Sequence, residues 1–387
     1  MLADRLKTLA PSSTLAVQAK AKELKRQGVD VISFGAGEPD FDTPERIKEA
    51  AIQAMRRGHT KYTEVGGVPE LRAAVCAKFK RDNGLTYEPA DVLVSCGAKH
   101  TLFNLAVAML NPGDEVLVPS PFWVSYPEQA RLIGAVPVAV PTREATGFDL
   151  DPETLRAAVT PRTKVIVLNS PNNPTGAVFS PAAIAAVAKL AVEANLFVVS
   201  DECYEALTFE GRHVSIAGLG PEIKARTLTI NTCSKAYAMT DIQSQVTSNP
   251  SSIAQWAAIE ALVGPQDEVA KMAGEFDRRR RLIVRGLNEL PGVSCIMPKG
   301  AFYVFPNVSR LFGRTWRSAD GPATIKGSVG VAAFLLEQAK VAVVPGVDFG
   351  SDDHVRLSYA TSEPLIVEGL ARMAAALRGL STKETHG

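Results

Sequence analysis

Between residues 91 and 230 the chain alternates short β-branched runs with helix-patterned segments, and no other feature narrows the fold so far. "DVLVS" leads into "AKHTLFNLAVAML", "DEVLVPS" into "WVSYPEQARLIG", "VPVAV" into "DPETLRAAV" and "KVIVLNS" into "PAAIAAVAKLAVEAN"; "LFVVSD" and "TLTINT" follow. Strands separated by helices cannot be joined by tight hairpins. They pair in parallel, with the helices covering both faces of the sheet. The expected fold class is therefore α/β, a three-layer, mostly parallel sheet, and ligands are expected outside the carboxyl ends of its strands.

From about residue 265 the texture changes. A long charged amphipathic helix, "DEVAKMAGEFDRRRRLIVRGLNEL", precedes "GVSCIMPKGAFYVFPN", "KVAVVPG", "HVRLSYAT" and a last helix, "EPLIVEGLARMAAALRG". This reads as a smaller α+β domain over residues 285–387, completed by an N-terminal segment, residues 1–45, whose "VISFGAGEPDFDTP" is a strand and a turn-rich bend. Residues 46–284 form the large domain. The Gly/Ser-containing stretch 311–327 reads as a surface loop.

Lys and Arg number 42 against 41 Asp and Glu, so no charge excess calls for nucleic acid or an anionic membrane. No apolar run approaches the roughly 18 residues of a membrane span. The mixed-charge N-terminus lacks the pattern of a signal peptide, and the cytoplasm is the expected compartment. Five cysteines (76, 96, 203, 233, 295) without CxxC spacing argue against both a disulfide framework and a zinc site.

Most of the strands end in residues capable of chemistry. "CGAK" (96–99) stands at a strand-to-helix turn, where free backbone N–H groups and the positive end of a helix dipole favour a phosphate; such a turn is also ordinary punctuation. "SPNNPTG" (170–176) reads equally as a rigid connector. "SDECYE" puts Asp201 at a strand end with Tyr204 three residues on, an arrangement that a helix cap also explains. "NTCSK" ends the next strand with Thr232, Ser234 and Lys235. Taken jointly and in this order, they answer one need. A lysine that bonds covalently to an aldehyde cofactor requires a carboxylate for a pyridinium nitrogen, donors beside the ring oxygen and a phosphate anchor.

Over essentially its whole length the chain resembles the class I aminotransferases of the aspartate aminotransferase type, which use pyridoxal 5′-phosphate. The likeness rests on "GAGEPDFDTP", "KYTEVGG", "GAKHTLFN", "PFWVSYP", "SPNNPTGAV", "SDECYE", "SKAYAMT", "SIAQWAA", "PKGAFYVFP" and "VRLSYATS", in that order. The resemblance implies the fold-type I architecture and a homodimer with active sites at the subunit interface. It makes Lys235 the Schiff-base lysine and proton shuttle, Asp201 the partner of the pyridine nitrogen, and Tyr204 and Asn173 the donors to the ring oxygen. It places Trp123 on the ring face. Ala98 and Lys99 backbone groups, with the Thr232 and Ser234 hydroxyls, hold the phosphate, and Tyr62 reaches the phosphate of the neighbouring subunit. Arg356 grips the substrate α-carboxylate with two prongs, which a lysine cannot do, and Gly37 lets the backbone approach it closely. The reaction implied is ping-pong amino transfer between an L-amino acid, aspartate, and a 2-oxo acid, 2-oxoglutarate.

The chain departs from that pattern at one point. Family members run from "SKAYAMT" into a segment of the form GWRIGY, whereas here Thr240 is followed directly by Asp241. A strand, its loop and a first helical turn are absent, about 15 to 20 residues. With them goes an arginine for the cofactor phosphate, and the next arginine is Arg278. Losing that contact is expected to weaken cofactor binding by roughly 1.5 to 3 kcal/mol, about tenfold to a hundredfold. Three readings stand open from sequence. They are an aspartate or aromatic/prephenate aminotransferase, a β-lyase or cyclopropane-forming synthase on the same scaffold, and an inactive remnant.

Overall fold

The structure is a computed structural model that describes residue 3 and residues 13–239, 250–318 and 321–380. The junction of Thr240 with Asp241, and "DIQSQV" after it, lie outside the described residues.

Among the described residues five strands make the central sheet: β1 (Glu115–Ser120), β2 (Val136–Pro141), β3 (Thr163–Asn169), β4 (Phe197–Asp201) and β5 (Thr227–Ile230). Their spatial order is β2-β1-β3-β4-β5, and every pairing is parallel. Burial on both faces explains the near-continuous apolar runs. Val116, Val118, Val165, Val167 and Val199 enter one core, while the alternating Leu117, Ile166, Leu168 and Val198 enter the other. Helices close both layers. Pro181–Glu193 starts at Ser180, whose hydroxyl accepts from the Ala183 N–H, and buries Ile184, Val187 and Leu190 on the second core.

The expected strand "DVLVS" does not form. Its residues follow a short turn, Pro89–Asp91, and run extended, but among the described residues no strand pairs with them; the Val94 N–H bonds the Gly66 carbonyl instead. β-Branched residues favour an extended backbone, yet a strand exists only where a neighbour completes its ladder. On the facing side β5 is likewise an edge strand of the described sheet. A cavity of about 1070 Å3 separates the two, lined by Val92, Val94, Thr229, Ile230, Tyr237 and Leu262 among others.

The C-terminal region builds a small antiparallel sheet from Val344–Pro345, Val355–Ser358 and Tyr303–Val304, and a parallel pair joins Ile32–Ser33 to Val341–Ala342. The N-terminal strand therefore does join C-terminal residues. A single helix, Asp267–Asn288, runs through the expected boundary at 284, and Phe276, Ile283 and Leu287 on it share one core with Val116, Phe34 and Leu357. The stretch read as a surface loop is instead a hairpin, Thr315–Ser318 paired antiparallel with Gly321–Thr324. Trp316 accounts for it: its ring packs edge-on against buried Phe334, 5.6 Å between centroids, so one face of the ribbon is anchored.

Ile166, fully buried at the centre of β3, tests the sheet. Ile166→Ala is expected to lower unfolding free energy by about 2 to 5 kcal/mol in urea titrations, whereas Leu365→Ala on an exposed helix face shifts it by under about 0.5 kcal/mol.

Candidate functional site

Parallel pairing brings the carboxyl ends of β3, β4 and β5 to one edge of the sheet, and the polar residues collect there. β3 ends at Asn169, whose side-chain oxygen accepts from the Asn173 N–H at 2.8 Å while its amide donates to the Asp201 carbonyl at 3.1 Å. One side chain thus joins two strand ends. The turn that carries Asn173 is locked locally: the Asn172 side-chain oxygen accepts from both the N–H and the hydroxyl of Thr175. Gly176 closes it at φ +68°, where a Cβ would fall 2.4 Å from Pro298 and 2.7 Å from the Gly300 carbonyl. Only glycine fits a turn packed this closely on the "PKG" segment.

Asp201 is 4% exposed and ends β4. The Tyr126 hydroxyl donates to its Oδ2 at 2.6 Å and the Cys203 N–H to its Oδ1 at 3.2 Å. No cation pairs with it among the described residues. Burial raises its pKa above the ordinary carboxylate value, against the lowering effect of the Cys203 and Tyr126 hydrogen bonds. Tyr204, on the same turn, is buried with its hydroxyl 2.9 Å from that of Tyr303, and burial pushes its pKa well above the usual phenol value.

Arg356 lies in the middle of a fully buried strand, 6% exposed. Its Nη1 donates to the Asn173 side-chain oxygen at 3.1 Å and its Nη2 to the Gly35 carbonyl at 3.0 Å; its Nε is buried without a hydrogen-bond partner. The guanidinium lies 4.6 Å from the Tyr303 ring centroid and 5.0 Å from that of Phe349. Desolvation lowers its pKa, and no carboxylate pairs with it among the described residues. Neutral acceptors and aromatic faces position the cation while leaving its charge uncompensated.

Lys235 sits on a four-residue helix, Cys233–Ala236, capped by Thr232, whose hydroxyl accepts from the Ser234 N–H. The Lys235 ammonium donates to the Gly37 carbonyl at 2.7 Å. A Cβ on Gly37 would lie 3.0 Å from the Tyr303 hydroxyl, so the N-terminal bend passes between the lysine and the tyrosine pair. The Thr232 and Ser234 hydroxyls are 3.0 Å apart. Ala98 and Lys99 begin the helix Ala98–Met109, whose leading N–H groups have no acceptor within the helix, and Ala98 and Thr232 both line the large cavity. Trp123 packs edge-on to Tyr126 at 5.4 Å, and the Lys99 ammonium lies 5.2 Å from the Trp123 ring centroid.

Hydrogen bonds thus join Asn173 to Arg356 directly and to Asp201 through Asn169, Lys235 to Gly37, and Tyr204 to Tyr303. Tyr62 stands apart from them, at 88% exposure on the surface. Three residues that bond to this set carry no role in the sequence reading. Tyr126 and Tyr303 stand inside the quoted motifs "PFWVSYP" and "PKGAFYVFP", and Asn169 ends "KVIVLN", but only the fold shows what each touches.

Asp201 binds its proton more tightly folded than unfolded, so this group subtracts stability as pH rises above about 3.8. In cofactor-free protein, the melting temperature of Asp201→Asn relative to wild type is expected to be more favourable at pH 7 than at pH 4. A pH-independent difference in calorimetry would contradict that sign.

The chain was compared with known proteins. Residues 29–373 match the family model described as aminotransferase class I and II. The chain is 49% identical to an aspartate aminotransferase of Geobacillus stearothermophilus over 380 residues, covering 93% of this chain and 95% of that one. It is 48% identical to an aspartate/prephenate aminotransferase of Cereibacter sphaeroides, covering 98% and 99% respectively. That alignment runs over 400 residues, more than the 387 of this chain, so the relative carries positions that this chain lacks. The crystal structure of an aspartate aminotransferase from Rhizobium meliloti superposes with a TM-score of 0.93 at 44% identity, covering 98% of this chain and all of that one. An aspartate aminotransferase from Thermus thermophilus, described with maleate, gives 0.90 at 46% identity, covering 97% and 100%. A full-length likeness of this strength, on a site whose buried carboxylate and buried guanidinium both lack counter-charges among the described residues, places the chain in the class I and II aminotransferase family.

Proposed function

We propose that the protein is a pyridoxal-phosphate-dependent aminotransferase that moves the amino group of L-aspartate to 2-oxoglutarate. The observation that carries this reading is Arg356, a buried guanidinium held by neutral acceptors with no anion of its own among the described residues. A buried charge left unpaired is costly, and a substrate carboxylate relieves that cost. The Thermus relative described with maleate, a small dicarboxylate, fits the same preference.

The residues fit the cofactor. Asp201 offers a buried carboxylate, without a cation, to a pyridinium nitrogen. Tyr204 and Asn173 would serve its ring oxygen and Trp123 its face. The Thr232 and Ser234 hydroxyls, with the Ala98 and Lys99 backbone, would form the phosphate end. When bound, the cofactor supplies an aldehyde for amine exchange and a ring that accepts electrons.

The chain's own residues do the rest. Asn169 fixes the spacing of Asn173 from Asp201, and Tyr126 orients the Asp201 carboxylate. Arg356 orients the substrate by its α-carboxylate and so presents the α-carbon to Lys235, whose Nζ takes the α-proton and returns it. Tyr204 and Tyr303, buried and hydrogen-bonded to each other, keep water from that side. We place the large domain at residues 46–284 and the small one at 285–387 with residues 1–45, and we read the protein as a cytoplasmic homodimer in which exposed Tyr62 reaches the neighbouring subunit's phosphate site. The relatives named for prephenate favour prephenate as a second amino acceptor.

Purified protein supplied with pyridoxal phosphate is expected to show a near-visible absorbance band that Lys235→Ala lacks, and to form the 2-oxo acid from aspartate only when an acceptor is present. A β-lyase would need no acceptor, and an inactive remnant would show no band. Retention is expected to be about tenfold to a hundredfold weaker than in the Geobacillus relative, because the phosphate end named above includes no guanidinium. Equal retention of the band through dialysis would refute this. Arg356→Lys, which gives up the two-pronged grip, is expected to lower kcat/KM about tenfold to a hundredfold, mainly through KM for both amino acid and 2-oxo acid.

A further inference from the structure

Behind the strand ends lies a second polar cluster that no step above uses. Its centre is Glu205, next to Tyr204 on the turn after β4, with its side chain 11% exposed. Glu205 Oε1 accepts from the Lys78 ammonium and, at 2.7 Å, from the side-chain amide of Asn231; Oε2 accepts from the Asn83 amide at 2.6 Å. Lys78 is itself buried and donates at 2.9 Å to the other side-chain atom of Asn83. Glu202, Glu205 and His213 also place donor atoms within 4.8 Å of one another. Glu205 already has Lys78 as its counter-charge, so the cluster does not need a metal ion for neutrality.

The arrangement matters because of what Asn231 does with its other atom. Its side-chain oxygen accepts from the Thr232 N–H at 2.8 Å, and Thr232 caps the short helix that carries Lys235. β5 is an edge strand of the described sheet, and a four-residue helix has little rigidity of its own. The link from Glu205 through Asn231 to Thr232 therefore ties the turn that bears Asp201 and Tyr204 to the turn that bears Ser234 and Lys235. A fixed distance between these two turns is what a ligand contacting both requires.

Resting on the functional reading above, we propose that Glu205 and Asn231 are positioning residues that set the Thr232–Lys235 turn against the Asp201–Tyr204 turn, and thereby cofactor affinity and the ionisation of the cofactor-bound lysine. Neither is among the residues assigned above to hold the cofactor. Lys78 acts as the fixed counter-charge that lets Glu205 stay ionised while buried.

The test uses cofactor-free full-length protein titrated with pyridoxal phosphate and followed by quenching of tryptophan fluorescence. The loaded protein is then titrated with pH while the near-visible band is recorded. Asn231→Ala leaves the Lys78–Glu205–Asn83 contacts intact and is expected to raise the cofactor Kd about tenfold and to shift the pH midpoint of the band. Glu205→Ala is expected to do the same, and the double variant to lose little more than either single one, since both cut one connection. Should Glu205→Ala fail to fold, Asn231→Ala decides alone. An Asn231→Ala protein with wild-type Kd and wild-type midpoint overturns the proposal, even if it melts at a lower temperature. Losses that add fully in the double variant also overturn it. Wild-type protein that forms no band overturns the functional reading itself, and this inference with it.

Discussion

The parallel ladder of the five central strands is the constraint on which the remainder depends. Parallel pairing forces every strand to end on the same edge, so Asn169, Asp201 and the residues after Ile230 converge although they are scattered over more than sixty positions of sequence. Short bonds then trim that convergence into a fixed geometry, with Asn169 joining two strand ends and Tyr126 fixing the Asp201 carboxylate. The opposite side is supplied by a different sheet, which delivers Arg356 from a strand buried on all sides. The site exists between two frameworks, each of which is rigid for reasons unrelated to chemistry.

Charge shapes it as strongly as backbone does. A carboxylate and a guanidinium, each nearly inaccessible, face the same region, and neither is neutralised by the other. Instead they are held by hydroxyls, amides and carbonyls. Such groups orient a charge and partly solvate it while leaving its attraction for an outside ion intact. Elsewhere in the molecule buried charges are treated differently. Lys78 meets Glu205 and Arg279 meets Asp40 at 2.7 Å, with their attraction satisfied inside the protein. That contrast supports the binding roles proposed for Asp201 and Arg356 without reference to any relative.

Much of this was legible in the sequence. Strand-and-helix alternation gives the sheet, and the residues at the strand ends give most of the candidate site, because both depend on local pattern and order. What escaped detection depends on partners far away in sequence. Nothing in "DVLVS" says that it has no ladder neighbour among the described residues, and the hairpin at Thr315–Thr324 owes its existence to Trp316 finding Phe334. Tyr303 was visible as a letter in a motif, but its contact with Tyr204 spans 99 positions. Asn231 looks like an ordinary strand-end residue until Glu205 is seen beside it.

That β5 has no neighbour on one flank among the described residues has a consequence for the protein as a material. In a parallel ladder alternate residues bond to one side, and Arg226 and Ile230 already accept from β4 and the residue after it, so Thr227 and Thr229 turn their backbone groups toward the cavity. Among the described residues these groups have no ladder partner, and a short β-branched edge in that state is a template for the strand of another molecule. Self-association through that flank scales with the number of molecules present, so the shelf life of a preparation will be governed by how concentrated it is kept as much as by how warm.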